Sequence, residues 1–419
     1  MEAFLDFLNN SPRFHNLIAI KTRLTVGEQE WAKNEKPQLT NNIKQNNEMK
    51  KLLFIIVAMA ACVTAWAAEG YAIYTSSNAT LTFYYGTRPS GAYALNSDLE
   101  RPAWHGDGTC NQVERVVFDP SFAQARPTST AYWFYEMRKL TSITGLNYLK
   151  TDNVTTMRFM FGYCKKLSSI DLSHFNTSKV TDFIGVFYEC RELKSLDVSH
   201  LNTSQATDMS SLFSCCSGLQ TLDLSRFNTS KVTNMKMMFY DCSSLTKLSL
   251  RNFNTANVTS MYYMFYLCEN LQTLDLSSFN TAKVTDMRCM FESCEHLAVV
   301  FVGGKWSTAA VTTEKSEYMF GDCYNIMGYM GTTYDENHID KAYAHIDGGS
   351  SDPGYFSWIR YVYGDVNGDG LVNVSDVTAL VNMLLGTIPA DLLLADVNND
   401  GDMNVSDVTT LVNILLGTN

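Results

Sequence analysis

Residues 219–242 read LQTLDLSRFNTSKVTNMKMMFYDC. Close variants of this wording lead up to Cys164, Cys190, Cys216, Cys242, Cys268 and Cys294, which fall 26 residues apart. A fixed period of this length signals a repeat architecture, in which each unit buries its apolar side against the next. Such arrays are quasi-one-dimensional and present extended surfaces rather than one deep pocket. The pattern therefore points toward binding before catalysis.

Each unit divides into two periodicities. The first is LxxLxL, as in Leu219, Leu222 and Leu224, then Leu245, Leu248 and Leu250, then Leu271, Leu274 and Leu276. This spacing predicts a strand whose leucines point inward and whose intervening residues point outward. In the second half, Val232, Met235, Phe239 and Cys242 stand at i, i+3, i+7 and i+10, and Val258, Met261, Phe265 and Cys268 repeat the spacing. That is one face of a helix. Between the halves runs FNTSK or FNTAN, with Asn176, Asn202, Asn228, Asn254 and Asn280 in one column. Asn and Thr side chains bond turn backbone, and stacked they satisfy groups that would otherwise be buried unpaired. Turn chemistry explains the column better than sugar attachment does.

The expected fold is an α/β solenoid over residues 131–330, built from 26-residue coils of strand plus helix. The pattern drifts at both ends. Tyr132–Leu140 fits with Met137 in the cysteine place, and Tyr318–Cys323 fits after a 29-residue step. Terminal units must shield the core, so residues 68–130 and 331–360 read as caps, the first with strand-like stretches such as Thr80–Tyr85.

Alternation places Ser169, Ser195, Thr221 and Thr273 in one outward column, with Lys247 completing it. Asp171, Asp197, Asp223 and Asp275 form a second, with Ser249 in the fifth unit. Two readings stand side by side: a polar, acidic surface that contacts a protein or glycan, or carboxylates that accept local hydrogen bonds. The cysteine column suits small buried hydrophobes as free thiols. Each column cysteine has two equivalent neighbours, which leaves disulfide pairing ambiguous. Zinc is disfavoured, because there is no CxxC pair and the seven His do not sit at ligand spacing.

The formal net charge of −11 argues against nucleic acid or anionic membrane as an electrostatic partner. Residues 49–67, MKKLLFIIVAMAACVTAWA, carry a basic start, a short apolar run and Ala65-x-Ala67, the layout of a secretion signal cleaved after Ala67. The apolar run is too short to span a bilayer, so no transmembrane span is expected. Residues 1–48 then read as an upstream extension ahead of a true start at Met49. Cleavage would leave 24 Lys and Arg against 37 Asp and Glu. Cys62 invites a lipid-anchor reading, but Met59 at the third position before it is a poor fit. A secreted or cell-surface location follows.

Residues 361–419 change character. From 364 onward there are eight Asp and no Lys, Arg or Glu. Asp365, Asn367, Asp369, Leu371, Asn373 and Asp376 occupy positions 1, 3, 5, 7, 9 and 12 of a calcium loop, with Gly370 at the sharp sixth position and Leu371 ligating through its carbonyl. Asp396, Asn398, Asp400, Asp402, Asn404 and Asp407 form the second. Asp365–Gly386 and Asp396–Gly417 are identical at 17 of 22 positions, and each loop runs into an apolar-faced helix. Oxygen ligands without sulfur or imidazole fit two Ca²⁺ ions.

The unit LxxLDLSxFNTSKVTDMxxMFxxCxxL resembles the BspA-type leucine-rich repeat of bacterial surface proteins, across residues 131–323. That resemblance implies a secreted or surface-displayed, adhesin-like protein. The tail, a loop–helix duplicate with Asp at position 12, resembles a type I dockerin and implies a cohesin-like partner and a place in polysaccharide-degrading assemblies. Val374, Ser375, Val405 and Ser406 stand at the recognition positions, and the basic residues common on the following helix are replaced by Val381-Asn382-Met383 and Val412-Asn413-Ile414. No enzyme is expected. His174, His200 and His296 are isolated from any nucleophile motif, and the acidic residues repeat in columns rather than flanking one cleft.

Overall fold

The computed structural model describes residues 68–358, 364–367, 372–388, 392–398 and 402–417. Residues 1–48 and 49–67, the latter expected to be a leader and containing Cys62, lie outside the described residues.

The chain enters through a hairpin, β1 (Glu69–Thr75) and β2 (Thr80–Gly86), paired antiparallel from Glu69↔Gly86 to Thr75↔Thr80. β3 (Tyr93–Ala94) flanks β1, and a short helix α1 (Ala103–Gly106) follows. β4 (Arg115–Phe118) pairs parallel with β2, and β5 (Ser142–Thr144) pairs parallel with β4. The five-stranded order is β3-β1-β2-β4-β5. The hairpin thus covers the open edge of the first repeat. Phe83, Trp104, Phe118, Phe122 and Trp133 fill the space beneath it, with Phe83 stacked on Phe118 at 4.6 Å and on Trp133 at 5.2 Å. Each such ring contributes roughly 1.5–3 kcal/mol on burial.

Beyond the cap the coils stack in sequence order. Parallel bridges link Ser129, Thr156, Asp182, Asp208, Asn234, Ser260 and Asp286 in turn. The LxxLxL segments form strands at β6 (Thr221–Asp223), β7 (Lys247–Ser249), β8 (Thr273–Leu276) and β9 (Val299–Val302). β6 pairs with β7, and β8 with β9, both parallel. Inward leucines such as Leu222, Leu224, Leu274 and Leu276 are buried, as the alternation requires. Inside the stack Phe161, Phe187, Phe213, Phe239, Phe265 and Phe291 form a spine with ring centroids 5.6–5.9 Å apart. Phe134 begins it and Phe320 ends it. We number the coils by these phenylalanines, Phe134 first.

The expected helix in each coil is absent: the α/β description is corrected to strands and linked turns. Between Met235 and Leu245 the chain makes three-residue turns, with Met238 N–H donating to Met235 O, Cys242 N–H to Phe239 O and Leu245 N–H to Cys242 O. Two residues per coil take left-handed backbone, as at Met237 (φ 56) and Asp241 (φ 51), and interrupt any helix. The freed N–H groups donate across to the next coil instead, Met237 to Tyr262 O and Phe239 to Met264 O, both at 2.9 Å. Val232, Met235, Phe239 and Cys242 are all fully buried, so the spacing marks the core correctly while the backbone differs.

β10 (Phe356–Trp358) adds parallel to β9 and ends the stack. Beside it Asp347, almost fully buried, accepts N–H groups from Met330, Thr332 and Gly349. The tail has its own core of Val366, Leu380, Ala395, Val397 and Leu411, around α2 (Val374–Leu384), α3 (Leu392–Ala395) and α4 (Val405–Leu416). No helix among the described residues is long and apolar enough to cross a membrane.

Candidate binding surfaces and calcium loops

The strand side carries the two anticipated columns. Ser169, Ser195, Thr221 and Thr273 are exposed, as are Asp171, Asp197 and Asp223, while Asp275 is half-buried. Register places Thr221 beside Lys247 and Asp223 beside Ser249. Each column aspartate closes a turn. Asp171 accepts the Ser173 N–H at 3.0 Å, Asp197 that of Ser199 at 2.9 Å, Asp223 that of Ser225 at 2.9 Å and Asp275 that of Ser277 at 3.0 Å. The hydroxyl and N–H of Ser173 and Ser199 hold the Asp171 and Asp197 carboxyls below their ordinary range. Asp275 also takes Arg251 Nε at 2.6 Å. One oxygen of each carboxylate is therefore committed to its own backbone.

The Asn–Thr column splits its work. Asn228 Oδ1 accepts the Ser230 N–H at 3.0 Å, a local turn bond. The buried Thr229 reaches the next coil, donating to Asn254 O at 3.0 Å and accepting from Asn254 N–H at 2.8 Å. Thr203 and Thr255 do the same to Asn228 and Asn280.

The ten described cysteines are all thiols. The column members tie coils together: Cys190 Sγ donates to Phe161 O at 3.2 Å, Cys216 to Phe187 O at 3.0 Å and Cys242 to Phe213 O at 3.2 Å. Burial pushes the Cys294 thiol up to about 12 and raises Cys164 further still. Thiols so displaced are poor nucleophiles and poor metal ligands at neutral pH.

A surface that the column reading missed lies on the turn side. Tyr132, Tyr135, Phe159, Tyr163 and Tyr188 crowd the first three coils, and Tyr240, Tyr262, Tyr263 and Tyr266 the fifth and sixth. The fourth coil between them carries small residues, the half-buried Ser211 and the buried Ser210 and Ser214. The available signal was substitution within an otherwise constant unit.

In the tail, the twelfth-position carboxylates organise both loops. Asp376 is fully buried; its Oδ1 accepts Asn367 N–H at 3.0 Å and its Oδ2 accepts Asn373 N–H at 2.8 Å. Asp407 repeats this with Asn398 at 3.1 Å and Asn404 at 2.8 Å. Asn373 and Asn404 cap α2 and α4 in reciprocal capping boxes. Asp365 is buried, Asn373, Asp396 and Asn398 are half-buried, and Asn367, Asp402 and Asn404 are exposed. Asp369, Leu371 and Asp400 lie outside the described residues. Among those described, no three His, Cys, Asp or Glu side chains converge as a metal site. The donor chemistry nevertheless fits calcium. Two carboxylates are wholly buried in a segment without Lys, Arg or His, and a buried charge needs a compensating partner.

Comparison with known proteins agrees with this division. Residues 128–221 and 207–331 match the family described as "Mycoplasma protein of unknown function, DUF285". Residues 363–416 match the type I dockerin domain. No curated protein matches the chain. A leucine-rich repeat protein from Bacteroides ovatus shares 15% identity with a TM-score of 0.32, covering 62% of this chain and 80% of its own. One from Eubacterium ventriosum shares 16% with a TM-score of 0.21, covering 65% of this chain and 92% of its own. The chain thus joins an array of stacked coils to a segment, 363–416, that matches the type I dockerin domain. Such dockerin domains generally bind calcium.

Proposed function

We propose that this is a secreted or cell-surface bacterial binding protein, adhesin-like, whose coil array contacts a protein or glycan and whose tail docks on a cohesin-like partner. The observation that carries the reading is the pairing of a repeat array, with its long outward columns, to a dockerin domain at 363–416. Residues 49–67 direct export, 68–130 and 331–360 cap the array, and 361–419 form the docking domain. Ser169, Ser195, Thr221, Thr273 and the free oxygens of Asp171, Asp197 and Asp223 contribute polar contacts on the strand side. Two Ca²⁺ ions, one per loop, hold the tail: Asp365, Asn367, Asp369, Asn373 and Asp376 with the Leu371 carbonyl, and Asp396, Asn398, Asp400, Asn404 and Asp407 with the Asp402 carbonyl. The array itself does no chemistry.

The dockerin match also favours a second reading, a non-catalytic component of a cohesin–dockerin assembly for polysaccharide breakdown. The calcium-loaded chain from residue 68 to 419, tested against matrix proteins, glycans and immobilised cohesins, separates the two. Retention on cohesin without binding to the panel favours the assembly role. Binding to neither defeats both.

A further inference from the structure

The turn side is polarised in charge as well as in shape. In the first three coils one cation follows each column residue: Arg138 after Met137, Lys165 after Cys164 and Arg191 after Cys190. Lys139 and Lys166 stand exposed beside them. Farther along, Glu269 and Glu295 take the same place after Cys268 and Cys294. The cap contributes Arg101, so Arg101, Arg138, Lys139, Lys165, Lys166 and Arg191 gather here around Glu136 and Glu189, in a chain whose net charge is −11.

Four of these cations are held in place. The Arg101 guanidinium lies 4.6 Å from the Tyr135 ring centroid, and Arg138 and Lys165 lie 5.4 and 5.5 Å from that of Tyr163. Beneath them the rings brace one another edge to face, Tyr135 on Tyr163 at 5.4 Å and Tyr163 on Tyr188 at 5.1 Å. Glu189 fixes Lys165 at 3.2 Å and Arg191 at 2.6 Å. Arg101 and Arg138 sit at 3.9 and 3.8 Å from Glu136, and their side chains stay about half exposed, at 53% and 54%.

We propose that this turn surface of the first three coils binds a linear anionic polysaccharide, one that carries carboxylate or sulfate groups along its chain. Spine rings lie 5.3 Å apart between the first and second coils and 5.7 Å between the second and third, so successive coils bring their cations to the surface at a short repeat, which suits a periodic polyanion. Guanidinium groups stacked on tyrosine lose little freedom on binding and present a fork that matches carboxylate or sulfate. Glu136, set among the cations and still partly exposed, accepts sugar hydroxyls, and with the buried Glu189 it opposes the denser charge of nucleic acid. The half-exposed tyrosines offer ring edges and hydroxyls to a pyranose. The proposal rests on reading the array as a binding surface, and it places the ligand away from the Asp and Ser/Thr columns.

The test uses the calcium-loaded chain from residue 68 to 419 with polygalacturonate and heparin as probes, measured by calorimetry across a salt series. Hydroxyethylcellulose, single-stranded DNA and poly-glutamate serve as comparators. We expect one of the anionic glycans to bind, more weakly as salt rises. R101Q/R138Q/K139Q/K166Q should weaken that binding by about tenfold or more, whereas K305Q, elsewhere on the surface, should not. R101K/R138K keeps the charge but loses the fork and should fall between. Thermal melting shows whether each variant folds; if the quadruple variant does not, R101K/R138K decides alone. Undiminished binding by the folded variants overturns the proposal, as does tighter binding of DNA, poly-glutamate or the neutral glycan. If neither anionic glycan binds while a matrix protein does, this proposal fails and the adhesin reading stands.

Discussion

Replacing Thr229 with Val tests how the coils are joined. Thr229 is 1% exposed, and its hydroxyl both donates to Asn254 O and accepts from Asn254 N–H. Val keeps the shape and removes both bonds. A hydrogen bond contributes about 1 kcal/mol net, and an unpaired buried donor costs about 1–3 kcal/mol. Asn254 itself is exposed, so water relieves part of the loss. The expected destabilisation is about 2 kcal/mol. Thr229→Ser keeps the hydroxyl and drops one methyl, costing about 0.8 kcal/mol. Urea unfolding of the calcium-loaded chain gives the order wild type, Ser, Val. Native-state hydrogen exchange should localise the Val effect to the fourth-to-sixth coils, because such arrays couple mainly through nearest neighbours. If the Val variant lies within about 0.5 kcal/mol of wild type, or the Ser variant is the worse of the two, the hydroxyl is not what joins the coils.

Three further outcomes follow from the geometry. Gly185 takes the left-handed position of the third coil (φ +58) against the Phe159 ring, so Gly185→Ala should cost about 2 kcal/mol by strain and overlap, while Asp241→Gly should raise the urea midpoint slightly by relieving the same backbone strain. Calcium chelation should abolish the circular-dichroism contribution of α2 and α4 and leave the array's cooperative melt in place; Asp376→Asn should weaken calcium binding measured by calorimetry, and a chelator-insensitive helical signal would contradict the metal's role. Asp347 is held down to about 2 although burial alone would raise it, because backbone N–H groups and the Thr332 hydroxyl bond its carboxylate. Its folded value lies below its unfolded one, so its stabilisation is present above about pH 4 and is lost as pH falls toward 2; Asp347→Asn should flatten the melting temperature across that window.

Sequence made the period, the core and the direction of the strands legible, because a residue repeated every 26 positions must meet its own kind in the next coil. The helix was misread for a definite reason. Val232, Met235, Phe239 and Cys242 are buried at helical spacing, but successive three-residue turns produce nearly the same spacing. The distinguishing feature is left-handed backbone at two places per coil, and glycine would have announced it. Only Gly185 does; Met237, Asp241, Tyr263 and Leu267 adopt it without the usual residue. Neighbouring coils make this tolerable, since each interrupted turn donates its N–H across the stack. The strand stripes were read correctly as outward, yet the turn bonds made by Asp171, Asp197 and Asp223 needed coordinates.

That distinction bears on where to look for specificity. A residue that recurs from coil to coil is accounted for by stacking: Phe fills the spine, Thr joins adjacent turns, Cys donates to the preceding coil and Asp closes its own turn. The position after each spine phenylalanine is free of that demand. It holds Tyr135, Gly162, Tyr188, Ser214, Tyr240, Tyr266, Glu292 and Gly321 in succession. Stacking alone would accept one residue throughout. A column that offers half-buried aromatic or acidic side chains at some coils and the buried Gly162, Ser214 and Gly321 at others makes neighbouring coils differ, and a ligand spanning several coils can recognise that order, whereas a nearly uniform stripe of aspartates offers it little register.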